Sequence, residues 1–199
     1  MHLPGQAEAV SAVLVSAIVI GIVGSVYFWG IPLIQKSRDV SVLENGESFM
    51  LLVDQKIKYL AAAGGRENIR IFEPGTVKFS GGKISYEVST DGTIYATDAS
   101  IPIGKTKNCN DMLQGDFLLD NSAVLCVTSS QISTGKFINT YDISYRSMKS
   151  DRKVYKINLV GQPSSGGTDQ SLIIQNNGVT ETTENGNQVM TLQIDVKIE

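Results

Sequence analysis

The chain has 199 residues, a formal net charge of −3 and one histidine, His2. Glu8 is the only charged side chain before Lys36, so the remainder carries −2, and this weak acidity excludes the basic surface that nucleic acid requires. With His2 confined to the extreme N-terminus, Ser-His and Cys-His nucleophile pairs are absent downstream. No catalytic constellation is found, and the chain reads as a non-enzyme that needs no cofactor.

The first element in chain order is an uncharged run from Ala9 to Gln35, flanked by Glu8 and by Lys36 and Arg38. At ~1.5 Å per helical residue it is long enough to cross a hydrocarbon core of ~30 Å. A cleaved secretory signal has a basic start, a shorter apolar core and a small-residue cut site after it. Here Tyr27, Phe28 and Trp29 precede Pro32 instead, so cleavage after the run is not expected. The three aromatics fit an interfacial belt, with Lys36 and Arg38 placed to snorkel beyond it. Pro32 is expected to kink the helix or to end its first segment. Ala17, Gly21 and Gly24 recur at helix-facing spacings, as do Gly21 and Ser25. Such small faces let helices approach closely in lipid, although small residues are also simply common in membrane helices.

Beyond Arg38 lie about 160 residues, enough for one domain with its own core. Val40–Asn45 reads as a connector. From Ser48 to Ala63, Phe49, Leu52, Val53, Ile57 and Leu60 share one face of a 3.6-residue period, and Gly64-Gly65 supplies a stop. This predicts a second, short amphipathic helix packed on a sheet. Strands are then expected at 68–72, 76–79, 83–89 and 93–97, separated by Pro-Gly, Gly-Gly and Asp-Gly turns. Further strands are expected at 123–128, 136–145, 153–160 and 172–175. The last, 190–198, alternates apolar and polar residues without interruption. The stretches 161–169 and 176–187 read as exposed Gly/Ser/Thr/Asn loops. The fold class is therefore α+β, with a long hydrophobic helix, a short amphipathic helix and an antiparallel β-sandwich head.

Cys109 and Cys126 form one disulfide if the head is extracellular, worth roughly 3 kcal/mol in the chain-entropy model. Two buried thiols are the alternative. Two cysteines at this spacing make no zinc site. Asn108, Asn110 and Asp111, or Asp116 and Asp120, offer oxygen ligands but match no EF-hand spacing, so no metal is assigned. The basic cluster Arg146, Lys149, Arg152 and Lys153 is broken by Asp151 and reads as a solvated turn. Tyr141 and Tyr145 read as sheet packing.

The boundary Gly5-Gln6-Ala7-Glu8 completes a pattern. A short leader ending in Gly, a few polar residues with a Glu, about 25 apolar residues and a β-rich head together resemble an archaeal type IV pilin precursor. The resemblance rests on the leader and the run, about 35 residues, with only general similarity beyond. It implies a class III signal peptide cut by a prepilin peptidase between Gly5 and Gln6, with Glu8 as the acidic residue near the mature N-terminus. It divides the chain into a leader (1–5), a transmembrane and filament-core helix (6–38) and a head (39–199). The implied partners are membrane lipid before assembly, the pilus assembly machinery, and other copies of the chain packed through Glu8, Ala17, Gly21 and Gly24. The implied function is a surface filament for adhesion or attachment. A single-pass anchored binding or sensor domain that never polymerises is the alternative.

Overall fold

The computed structural model describes residues 4–72, 74–109 and 114–199, with side chains from Val10 onward. Two compact units are distinguished, Met1–Arg38 and Asp39–Glu199.

One helix, α1, spans Pro4–Ala63 without interruption. The expected connector at 40–45 and the separate amphipathic helix are thus corrected: both belong to α1. Pro32 does not end the helix. The reason lies in packing. Leu43, Gly46, Met50, Val53, Ile57 and Leu60 fall three and four residues apart on one stripe, and all six are buried. That stripe begins five residues before the expected helix start, and its burial outweighs the weak helix propensity of Asn45-Gly46. Leu52, assigned to the same face, is instead 40% exposed, and Phe49 flanks the stripe. At about 2 kcal/mol per buried side chain, the stripe contributes on the order of 10 kcal/mol before entropy is subtracted. Gly64 ends α1 as expected: its φ is +74° and its N–H donates to the Leu60 carbonyl at 2.9 Å. The Asn176 side-chain amide donates to the same carbonyl at 2.7 Å.

The strands follow in chain order. β1 is Arg66–Arg70, β2 Thr76–Ser80, β3 Lys83–Thr90, β4 Ser100–Pro102, β5 Gly115–Asp116 and β6 Ala123–Ser133. β7 is Lys136–Tyr145, β8 Met148–Ser150, β9 Lys153–Val160, β10 Ser164–Gly166, β11 Ser171–Glu184 and β12 Asn187–Ile198. They form two six-stranded sheets, ordered β1-β11-β12-β9-β8-β5 and β10-β2-β3-β7-β6-β4. The second is antiparallel throughout. The first is mixed, which corrects the expectation of a purely antiparallel sandwich: β12 runs parallel to β9, and β5 parallel to β8. The mixture arises because the chain leaves β9, contributes β10 to the other sheet, and returns through the β11–β12 hairpin. Both sheets and the buried stripe of α1 share one hydrophobic cluster, which includes Val77, Ile84, Val127, Ile143, Leu172 and Ile194.

Three further expectations change, the first being that 161–169 is not all exposed loop, since β10 lies within it and pairs with β2. The stretch 176–187 is a hairpin rather than a loop, turning at Asn185 (φ +51°) and Gly186 (φ +78°) with Glu184 paired to Asn187. These two left-handed residues match the two-residue hairpin turn whose twist suits the strands. The expected strand at 93–97 is irregular. The Thr93 hydroxyl donates to Asn139 Oδ1 and accepts from the Tyr95 N–H and the Ser129 hydroxyl, a side-chain alternative to ladder pairing.

Candidate assembly helix and the head's polar sites

The apolar part of α1 is exposed on every side. Among the described residues, Val10 to Ile34 includes sixteen large hydrophobics that are accessible, with Tyr27, Phe28 and Trp29 at 70%, 78% and 75%. None of its most apolar window is buried, and by length and composition it is able to cross a membrane. Ala17, Gly21 and Gly24 are exposed, and a Cβ added at either glycine would meet nothing within 4 Å. Spaced four and three apart, they share one helix face, as the small-residue reading requires. Two of the run's hydroxyls are satisfied locally: Ser16 donates to the Ala12 carbonyl and Ser25 to the Gly21 carbonyl, each at 2.8 Å. The segment therefore presents apolar surface on a continuous helix, whose backbone is internally bonded except where Pro32 withholds one N–H. Gly5, Gln6 and Glu8 fall within the span of α1, and their side chains lie outside the described residues.

Cys109 and Cys126 are bridged, with their Cα atoms 5.8 Å apart, so the two-thiol alternative is set aside. The bridge ties buried Cys126 on β6 to the segment beyond β4. Of the oxygen ligands considered for calcium, Asn110 and Asp111 lie outside the described residues. The Asp120 carboxylate accepts from Lys107 Nζ at 2.9 Å and from the Asp116 N–H at 3.1 Å. Its pKa is held below the usual carboxylate range, chiefly by the Lys107 hydrogen bond. Asp120 is thus committed to a lysine and the backbone, in keeping with an acid that shapes a turn. That turn leaves Leu118 and Leu119 exposed, while Phe117 stacks on Tyr155 with ring centres 4.6 Å apart.

The basic cluster does not act as one group. Lys149, Arg152 and Lys153 are exposed about the turn at Asp151, as expected, whereas the Arg146 side chain is only 8% exposed and donates to the Asn121 carbonyl at 2.8 Å. Tyr141 is fully buried, with its hydroxyl donating to the Leu43 carbonyl at 2.8 Å and lying 3.2 Å from the Tyr95 hydroxyl. Burial, first, raises the pKa of both phenols, and of Tyr145. These tyrosines pack and brace the head, in agreement with the sequence reading of Tyr141 and Tyr145.

Sequence reasoning missed one polar cluster: Asp54 and Lys58 on α1, with Asn121 before β6. The (i, i+4) Asp–Lys pair is visible in the sequence, but nothing in the sequence brings Asn121 to it. No family model matches the chain, nor does any curated protein or solved structure.

Proposed function

We propose that the chain is a structural subunit of a type IV pilus-like extracellular filament used for adhesion or attachment. One observation carries the reading: an uncharged helical segment, exposed on every side, continues as helix into residues whose buried stripe anchors a disulfide-bonded β head. A segment of that kind requires an apolar environment, and lipid and other copies of the same helix are the two that a filament subunit meets in turn. Once the helix has left lipid, returning it to water would cost ~25 cal/mol per Å² of apolar area, so bundled helices resist separation more than polar head surfaces do. The open face at Ala17, Gly21 and Gly24 supports close helix approach. On this reading the precursor sits in the membrane, a prepilin peptidase cuts between Gly5 and Gln6, and Glu8 meets the freed amino group of a neighbour. The mature protein then stands at the cell surface, its heads forming the outside of the filament.

The test is mass spectrometry of the native N-terminus together with electron microscopy of the cell surface. A mature chain beginning at Gln6, found in filaments, is expected. Retained Met1 with no filaments would instead support an anchored, non-polymerising binding or sensor domain.

A further inference from the structure

Asp54 and Lys58 stand one turn apart on α1, and the loop before β6 brings Asn121 against them. Lys58 Nζ donates to Asp54 Oδ2 and to Asn121 Oδ1, both at 2.6 Å. The other Asp54 oxygen accepts from the Tyr145 hydroxyl at 2.9 Å, and the Asp54 side chain is only 15% exposed. Asn121 is fixed independently: its Nδ2 donates to the Ala123 carbonyl at 3.0 Å, and its backbone carbonyl accepts from Arg146 Nε at 2.8 Å. The Cys109–Cys126 bridge closes the loop that carries it. A carbonyl bond is ~1.2 Å long, so Asn121 Cγ lies roughly 3–4 Å from Lys58 Nζ, close to the separation of a near-attack arrangement. An amine, an amide carbon and a carboxylate able to carry protons between them are thus held together by rigid elements. Lys58 and Arg146 also border an apolar cavity of about 460 Å³, lined by Ala61, Phe117, Met148 and Leu192, which gives a small leaving group a way out.

We propose that Lys58 and Asn121 are a covalent modification site, joined by an intramolecular isopeptide bond that forms without an added enzyme. Asp54 takes one proton from the Lys58 ammonium, freeing the nitrogen lone pair. Nζ adds to Asn121 Cγ, and its second proton passes through Asp54 to Nδ2. The Cγ–Nδ2 bond then breaks and ammonia leaves, carrying the proton first taken from Lys58 as ammonium. Nζ keeps one hydrogen as a secondary amide, and nothing is oxidised or reduced. The product ties α1 to the disulfide-closed loop, giving the head a second covalent staple whether or not the chain polymerises.

The test is peptide mapping of the full-length protein after disulfide reduction and trypsin digestion. The expected product is a branched peptide joining residues 57–66 to 108–136, uncut at Lys58 and lighter by one ammonia than its two linear parts. Localisation at the peptide level is essential, because cyclisation of Gln6 at a new N-terminus also removes one ammonia from the intact mass. Lys58→Arg and Asn121→Ala are expected to yield linear peptides only, and Asp54→Ala to lower the branched fraction more than tenfold. Wild-type protein that gives only the linear peptides, cut after Lys58, overturns the proposal irrespective of how the variants fold.

Discussion

Gly46 lies in the interior of α1, where alanine is ordinarily favoured by about 1 kcal/mol. A Cβ built there would stand 2.9 Å from Tyr86 Cε1 and 3.1 Å from Tyr141 Cε2. Neither ring is free to retreat: the Tyr86 hydroxyl donates to the Pro74 carbonyl at 2.7 Å and the Tyr141 hydroxyl to the Leu43 carbonyl at 2.8 Å. Overpacking at a site of this kind costs about 1–3 kcal/mol, which exceeds the propensity gain. Gly46→Ala is therefore expected to lower stability by about 1 kcal/mol, seen as an earlier urea midpoint at unchanged slope. A variant as stable as the wild type would mean that the rings shift to admit the methyl group. The same residue shows why the start of the amphipathic segment was hard to read. Asn45-Gly46 looks like punctuation, and only the partner rings reveal that the glycine is a contact. Extending the stripe of Leu60, Ile57, Val53 and Met50 backward by three and four residues would have found Gly46 and Leu43.

At the scale of elements, legibility follows how local the determining force is. The sequence pattern delimits β7 and β9 to the residue, with the turns at Thr134-Gly135 and Asp151-Arg152 marking their starts. The β11–β12 hairpin is hidden although its Asn185-Gly186 signal is strong, because Thr180–Glu184 is polar and exposed on both faces and so carries no alternation. Parallel pairing of β12 with β9 is a long-range choice that no local pattern encodes. The disulfide belongs to this scale as well, since it fixes β6 to a loop rather than to a neighbouring strand. Replacing both partners, Cys109→Ala with Cys126→Ala, is expected to cost roughly 3 kcal/mol, with a matching fall in melting temperature. Adding reductant to the wild type should reproduce the fall and leave the double variant unmoved. A change below about 0.5 kcal/mol would show that hydrogen bonds and ion pairs such as Lys107–Asp120 hold the loop without the bridge.

Across the whole molecule, one helix carries two different surfaces. Every buried hydrophobic among the described residues lies between Leu43 and Ile198, while the large hydrophobics from Val10 to Ile34 are all exposed. The exposed run from Val10 to Ile34 is legible in outline, because an uncharged run announces itself by composition. The register of the second half of α1 is not, because its stripe acquires meaning only from the sheets that cover it. The division has a direct consequence for assembly. If the apolar helix supplies the association energy, a chain beginning at Asp39 retains the full core and loses the driving force. Such a chain is expected to unfold in one cooperative transition and to remain monomeric without detergent by size-exclusion chromatography with light scattering. The full-length chain under the same conditions is expected to require detergent or to associate. Filaments or defined oligomers formed by residues 39–199 alone would move the assembly contact to the head, with the exposed Leu118–Leu119 turn as the first place to look.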